Sequence, residues 1–207
     1  MSYLGQNQAK GVFMSAQTQL STQMSMPEYL AFEDKSAIKH EYAAGQIFAM
    51  AGASERHNRI AMNFASHLHQ ATRRSACTTF ISDMRVKIDQ VIYYPDIMVA
   101  CEASDRDPYL KTAPCLIVEV LSASTERIDR GEKLYNYQQI AELKAYVLIS
   151  QEQVRVDVYR HADAQWLFES YSNLSDTLHL DGPKTELTLA EIYERIEFPN
   201  TEMQLAT

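Results

Sequence analysis

The sequence has little of several features that define specialised classes of protein. Glycine and proline number only 6 each among 207 residues, which excludes a collagen, and 46% hydrophobic residues exclude a wholly disordered chain. No apolar run approaches the roughly 18 residues of a membrane-spanning helix. Positive charge is also scarce, because 27 Asp and Glu outnumber 19 Lys and Arg and give a formal charge of -8. This balance argues against bulk coating of nucleic acid and leaves only a local basic groove for such a partner.

Cysteine is scarce too. Cys77, Cys101 and Cys115 have no CxxC spacing, and an odd number of cysteines argues against a framework of disulfides. Each lies in an apolar segment, so we expect three buried free thiols. Because the N-terminus has no basic stretch followed by an apolar one, we predict a cytoplasmic protein.

The length predicts a single domain with short appendages. Residues 1–24 are polar and rich in glutamine, and we interpret them as a flexible tail. The predicted domain covers residues 25–198, and residues 199–207 form a second tail. The sequence contains no internal repeat and no interdomain linker.

Apolar periodicity predicts the order of the elements. A hairpin turns at Ala43-Ala44-Gly45, and Ser54 caps a long helix whose apolar positions follow the 3.6-residue period. Residues 93–101 form one predicted strand, and the apolar run 115–121 forms a central strand buried on both faces. Further predicted elements are helices over 124–140 and 187–196, and strands over 144–150, 154–159 and 166–171. The fold class is therefore α+β, or mixed α/β, with a central mixed sheet flanked by helices and an added antiparallel hairpin.

Two carboxylates interrupt the predicted core strands. Glu119 lies in the middle of Leu-Ile-Val-Glu-Val-Leu, and Asp96 follows Pro95 in the preceding strand. Burying an unpaired carboxylate costs several kcal/mol, so each acid must be paired, protonated or bound to a metal. On adjacent strands the two acids would meet, and hard oxygen ligands favour Mg2+ or Mn2+. The alternative is that each acid pairs with a nearby Arg or Lys, or that Asp96 caps a turn.

The helix after the central strand adds a third element. Asp129, Lys133 and Tyr137 recur at i, i+4 and i+8, so they share one helical face. The simple interpretation is a surface salt bridge between Asp129 and Lys133. The alternative is that Lys133 points over the strand end towards Glu119, where its charge would position an attacking water.

These residues resemble the Uma-type restriction endonuclease family within the PD-(D/E)XK nuclease superfamily. The resemblance covers about residues 26–198 and implies a restriction-endonuclease-like fold with metal-dependent cleavage of DNA. It rests on an ordered set of motifs: His40-Glu41-Tyr42 with Gly45, the Ala-Gly-Ala-Ser-x-x-His run ending at His57, Pro95-Asp96, Glu119-Val120-Leu121-Ser122, Ser124-Thr125, Asp129, Lys133, Tyr137 and the strand over 143–149.

The resemblance also implies roles for individual residues. Asp96 and Glu119 would bind Mg2+ or Mn2+, with the backbone carbonyl of Val120 as a further ligand. The superfamily places a Lys two residues after the Glu, but that position is Leu121 here, and Lys133 on the next helix is the implied substitute. Four accessory residues are implied near the site: Glu41, His57, Asp129 and Tyr137. Glu41 is equally compatible with an exposed strand residue, and His57 with a capping or surface histidine.

We therefore expect hydrolysis of phosphodiester bonds in duplex DNA by a homodimer, with Asp96, Glu119 and Lys133 catalytic. A solvated charged face is the alternative for the basic residues that would contact DNA. One alternative function is a catalytically weak or inactive nuclease-fold module acting in nucleic-acid binding or protein assembly, and another is hydrolysis of a different phosphorylated substrate. No P-loop, GxSxG or HExxH motif supports another enzyme class. The candidate DNA contacts are Arg56, Arg59, Arg73 and Arg74 on the long helix, and Arg85 and Lys87 on the following strand.

Overall fold

Two six-stranded mixed sheets and one two-stranded sheet make up the β-structure of the computed structural model, which describes residues 19–20 and 23–198. The helices are α1 (Met26–Glu33), α2 (Glu55–Thr72), α3 (Glu126–Ile128), α4 (Leu134–Tyr137) and α5 (Leu189–Ile192), and a π-helical turn, Asp129–Lys133, joins α3 to α4. The strands are β1 (Gln19–Leu20), β2 (His40–Ala43), β3 (Gln46–Ala49), β4 (Thr78–Ile81), β5 (Arg85–Ile88), β6 (Val91–Tyr93), β7 (Ile97–Ala100), β8 (Leu110–Lys111), β9 (Pro114–Leu121), β10 (Ala145–Ser150), β11 (Val156–Ala162), β12 (Gln165–Tyr171), β13 (Thr177–Asp181) and β14 (Lys184–Thr188).

The central sheet has the strand order β12-β11-β10-β9-β7-β4. β9 and β10 are parallel, and the other neighbours are antiparallel. Every residue of β9 is buried, as its continuous apolar run predicts for a strand covered on both faces. The α2 residues Ile60, Phe64 and Leu68 pack on one face of this sheet, while Tyr137 of α4 packs on the other.

The second large sheet has the order β1-β3-β2-β6-β5-β8. α1 packs against this sheet through Tyr29, which is fully buried. Its ring stacks on Tyr42 with centroids 5.0 Å apart, and its hydroxyl donates a hydrogen bond to the His40 carbonyl. Ser25 and Glu28 form a capping box that fixes where α1 begins. Ser54 likewise accepts a hydrogen bond from the backbone N–H of His57, which places His57 in the first turn of α2.

The predicted fold class is confirmed, and so are several elements. The β2–β3 hairpin, the long capped helix and the central strand lie where the patterns predict them. The predicted antiparallel extension is β11 paired with β12. None of the described helices combines the length and apolarity needed to cross a bilayer. The predicted tails, residues 1–24 and 199–207, fall mostly outside the described residues, although Gln19–Leu20 pairs with β3.

Two element predictions are wrong. The single strand predicted over 93–101 is two strands in different sheets, because β6 ends at Tyr93 and β7 begins at Ile97. Pro95 lies in the crossing segment, where its missing N–H costs no ladder hydrogen bond. The helix predicted over 187–196 is instead the end of β14 followed by the short α5. No strand is predicted at β13 either, although buried Leu178 and Leu180 alternate there with exposed His179 and Asp181.

The prediction of three free thiols is also wrong. Cys77 and Cys101 form a disulfide, and only Cys115 is a buried free thiol. Thr78 pairs with Ala100 across β4 and β7, so the next residues outward, Cys77 and Cys101, face each other. The spacing along the chain does not reveal that these two strands are neighbours.

Candidate active site

A cleft of about 910 Å3 is lined by residues of both large sheets, the first turns of α2 and the helical segment after β9. Tyr137 does not line it, but its side chain contacts a residue that does. The sequence-predicted residues in the cleft wall are Glu41, His57, Asp96, Glu119, Val120, Asp129 and Lys133.

Asp96 and Glu119 are joined across neighbouring strands. Asp96 directly precedes β7, whose first residue Ile97 pairs with Val118, so its backbone lies beside Glu119. The backbone N–H of Asp96 donates to Glu119 Oε2 at 3.1 Å, and the N–H of Val120 donates to Asp96 Oδ2 at 2.8 Å. The antiparallel pairing of β7 with β9 therefore brings the two carboxylates to one end of the sheet, as the sequence predicts.

Lys133 is held by three carboxylates. Its Nζ lies 3.0 Å from Glu41 Oε1, 3.1 Å from Glu119 Oε1 and 3.2 Å from Asp129 Oδ1. The side chain of Lys133 is only 6% exposed. Its contact with Asp129 is therefore a buried ion pair and not the surface salt bridge that the sequence also allows. Asp129 begins the π turn and Lys133 ends it, and π turns inside helices are frequent at functional sites.

Two further side chains complete the network. Tyr137 donates its hydroxyl to Glu119 Oε1 at 3.1 Å. Burial and the neighbouring Glu119 charge raise the pKa of Tyr137 well above its usual range, so this hydroxyl stays a donor. His57 Nε2 lies 3.1 Å from Asp96 Oδ2. Burial lowers the pKa of His57, but the hydrogen bond and charge of Asp96 outweigh it and leave that pKa raised.

Negative charge is crowded in this cleft. Burial, with the charges of Asp129, Asp96 and Glu41, raises the pKa of Glu119 well above its usual range, against the opposing effect of Lys133. Burial lowers the pKa of Lys133, but the surrounding carboxylates raise it by more than burial lowers it. The pKa is therefore well above its usual range, and the ammonium stays protonated. With all four acids ionised, Lys133 and His57 cannot balance them, and Lys39, which also lines the cleft, pairs with Asp83. Either Glu119 takes up a proton or a cation enters.

The donor set fits a hard divalent cation. Asp96 and Glu119 present carboxylate oxygens to the cleft, and carboxylates with waters are what Mg2+ and Mn2+ prefer. Asp129 Oδ1 is buried and makes no hydrogen bond within the described part of the chain, although Lys133 lies within ion-pair distance of it. Asp129 therefore adds a further carboxylate to the wall of the cleft that Asp96 and Glu119 also line.

The predicted DNA-contacting arginines do not converge on the cleft. Arg56 donates to the Gln151 carbonyl at 2.9 Å and pairs with Glu152, while Arg59 pairs with Glu55 at 2.7 Å.

Arg73 and Arg74 follow the last turn of α2, about 24 Å from His57 at 1.5 Å per residue. Arg85 is buried against Asp34, and Lys87 is half-buried in β5.

Sequence reasoning missed the apolar rim of the cleft. Ile38, Met62 and Ile81 line it and are 45% to 57% exposed. Met62 lies on the otherwise polar side of α2, between buried Ala61 and half-buried Asn63. An apolar residue at a polar position of the helix is the one sequence signal for this rim. The other two residues lie at strand and loop edges, where an exposed apolar side chain is common.

Comparison with known proteins gives two curated relatives from Synechocystis sp. "Uncharacterized protein slr1290" is 36% identical over 179 residues, which cover 84% of this chain and 94% of that protein. "Uncharacterized protein sll1609" is 37% identical over 150 residues, covering 70% and 85%. A crystal structure from Anabaena variabilis, described as "a putative nuclease belonging to DUF820", matches with a TM-score of 0.68. It is 17% identical and covers 82% of this chain and 97% of its own, which supports the restriction-endonuclease-like fold.

The family comparison covers most of the domain. The model of the Uma2 family, which carries the description "Putative restriction endonuclease", matches residues 26–190. That range contains every residue of the carboxylate and lysine network described above. The chain therefore belongs to the Uma2 family.

Proposed function

We propose that this protein is a cytoplasmic, metal-dependent endonuclease that hydrolyses phosphodiester bonds in duplex DNA. The observation that carries the proposal is the buried Lys133 ammonium, held 3.0 to 3.2 Å from three carboxylates beside the Asp96–Glu119 pair. Family membership and the nuclease-like fold support the same conclusion.

Asp96 and Glu119 would hold Mg2+ or Mn2+, with the carbonyl of Val120 as a further ligand. When bound, such an ion polarises the phosphate and lowers the pKa of a coordinated water. The crowded carboxylates favour this occupancy, because a divalent charge counters the burial and the repulsion between carboxylates that raise the pKa of Glu119.

Lys133 would act as a fixed cation. Its raised pKa keeps it protonated, so it is suited to donate a hydrogen bond to the attacking water and to stabilise charge that develops on the phosphate. It is not suited to be the general base. Glu41 and Asp129 hold the ammonium in place, while Tyr137 orients Glu119 through its hydroxyl.

His57 would position Asp96. Its Nε2 contacts Asp96 Oδ2, the same oxygen that accepts the Val120 N–H, so this carboxylate is restrained from two directions. A restrained ligand loses little conformational freedom when a cation binds.

A homodimer would supply two active sites for the two strands of a duplex. β12 is the outermost strand of the central sheet, and Leu167 and Phe168 on it are 47% and 54% exposed. Such an edge is a template for pairing with another chain, and an antiparallel pair of β12 strands would cover it. Light scattering that gives only monomer would remove this part of the proposal.

A catalytically weak module for binding or assembly is the second candidate. It is favoured by the pairing of Arg56 and Arg59 with acids, and by the distance of Arg73 and Arg74 from the cleft. A Mg2+ titration separates the two candidates, because a module without catalysis has no need of a cation at Asp96 and Glu119.

The test is cleavage of supercoiled plasmid in Mg2+ or Mn2+. We expect Glu119→Gln and Asp96→Asn each to lower the cleavage rate at least about 100-fold, because each removes a charged ligand. Glu186→Gln is the matched control, since that exposed carboxylate lies on the β13–β14 hairpin and pairs with His179, outside the cleft. Cleavage that survives both site variants in folded protein would refute the proposal.

A further inference from the structure

Three sulfur atoms converge at the end of the central sheet opposite the carboxylates. The Sγ atoms of Cys77, Cys101 and Cys115 all lie within 4.8 Å of one another. Cys77 and Cys101 form the disulfide, and Cys115 Sγ lies 2.9 Å from Cys101 Sγ. Cys115 and Glu119 are four residues apart on β9, so the sulfurs are about 13 Å from the carboxylates at 3.3 Å per residue.

The backbone builds this convergence from three strands. Cys77 precedes β4, Cys101 follows β7, and Cys115 lies near the start of β9. The pairing of β7 with β9 shifts between Val99 and Ala100, which oppose Leu116 and Pro114, so Cys115 is the extra residue of a β-bulge. Bulges commonly re-aim a side chain, and here the bulge adds a third sulfur to the pair made by β4 and β7.

The cluster lies at the surface edge of the core, beside one cation. Cys115 is 5% exposed, whereas Cys77 and Cys101 are half-buried, so solvent reaches one side of the cluster. Burial raises the pKa of the Cys115 thiol to about 11, and the Lys144 ammonium opposes that shift. Lys144 therefore supplies positive charge beside sulfurs that become anionic on losing protons.

We propose that this cysteine cluster, once the disulfide is reduced, binds one Zn2+ ion through three thiolates. A thiol or phosphine reductant supplies two electrons, the S–S bond breaks, and two protons complete two thiols. Zinc binding then releases three protons and forms three Zn–S bonds, leaving a fourth position for water. Zn–S bonds of about 2.3 Å place two sulfurs of a tetrahedral site about 3.8 Å apart, which the observed spread of the three atoms accommodates.

The two ends of the sheet then select different metals. Thiolates are soft ligands that favour zinc, while carboxylates are hard ligands that favour magnesium or manganese. The ion with three thiolates carries one net negative charge, which the nearby Lys144 offsets. This zinc site does not depend on the proposed nuclease activity, because it uses none of the cleft residues.

The test uses the full chain, reduced with a phosphine under nitrogen and freed of reductant. Zn2+ is titrated against a chromophoric chelator with excess Mg2+ present to fill the carboxylate site, and native mass spectrometry gives the stoichiometry. We expect one tightly bound Zn2+ per reduced chain and none in the chain that keeps its disulfide. Cys77→Ser should weaken zinc binding at least about 100-fold, since one of three ligands is lost.

Glu119→Gln is the matched control and should bind zinc as tightly as the unchanged chain. A reduced chain without bound zinc, equal affinity after Cys77→Ser, or a folded chain whose disulfide resists the phosphine would each overturn the proposal. If Cys77→Ser does not fold, alkylation of the unchanged reduced chain decides the matter. Protection of three thiols by Zn2+ supports the site, and equal labelling with and without Zn2+ refutes it.

Discussion

Two buried carboxylates of the central sheet, Glu119 and Asp157, have similar positions and opposite surroundings. Leu148 of β10 pairs with Glu119 on one side and with Asp157 on the other, so the acids lie in one row on the same face of the sheet. The helical segment above them supplies one cation to each, Lys133 to Glu119 and Arg130 to Asp157.

The difference between the two acids lies in the balance of charge. Asp157 accepts hydrogen bonds from Arg130, Arg155 and Ser170 at 2.6 to 3.1 Å. Although burial raises its pKa, these donors outweigh burial and leave the pKa of Asp157 lowered. Glu119 shares its single lysine with two other acids, and its pKa is raised. Asp157 is a satisfied structural acid, whereas Glu119 needs a further positive charge, and this contrast separates a structural acid from a candidate metal ligand.

The largest expected effect comes from removing the shared cation. Lys133→Met would leave Glu41, Glu119 and Asp129 buried without it, and breaking a buried ion pair in this way costs about 3–5 kcal/mol. Urea unfolding should show that loss in the free energy of unfolding. Adding Glu119→Gln to Lys133→Met should restore part of the stability, because it removes one of the three carboxylate charges that Lys133 contacts. A single variant as stable as the unchanged chain would contradict the charge balance described for this network.

The next effect concerns the satisfied acid. Asp157→Asn would remove the carboxylate charge that both Arg130 and Arg155 contact, although Arg130 keeps its ion pair with Glu126, and should cost about 2–3 kcal/mol in unfolding free energy. Cleavage by the folded variant should be unchanged, because Asp157 does not line the cleft. A loss of cleavage as large as that of Glu119→Gln would show that the two acids belong to one functional unit.

The pH dependence of stability sharpens the same contrast. Since the pKa of Asp157 is lowered on folding, its contribution is fully present above the unfolded value near 3.8 and is lost as pH falls through the folded value. The stability difference between the unchanged chain and Asp157→Asn should therefore be constant at neutral pH and shrink in acid. Urea unfolding across that range measures it, and a difference that grows in acid would refute the lowered pKa.

The sequence predicts a large part of this site because its chemistry interrupts strong patterns. Glu119 stands out in an apolar strand, and the spacing of Asp129, Lys133 and Tyr137 puts them on one helical face. The sequence does not identify Asp157 as a buried acid in the same way. Its strand alternates between apolar and polar residues, so an acid there interrupts no pattern. Of its two arginine partners, Arg155 lies just before β11 and Arg130 lies in the π turn. The pairing of Cys77 with Cys101 and the crossing at Pro95 also depend on which strands are neighbours, and local periodicity does not give that information.

The smallest expected effects compare one hydroxyl at each acid. Ser170→Ala removes a single hydrogen bond to Asp157 Oδ1, and Tyr137→Phe removes one to Glu119 Oε1. Each should lower the free energy of unfolding by about 1 kcal/mol, the net value of a typical hydrogen bond. Only Tyr137→Phe should also slow plasmid cleavage, because it leaves Glu119 less firmly oriented while Asp157 keeps two arginines. Equal cleavage by both variants would mean that the Tyr137 hydroxyl contributes to stability and not to cleavage. The two acids would then differ in their charged partners alone.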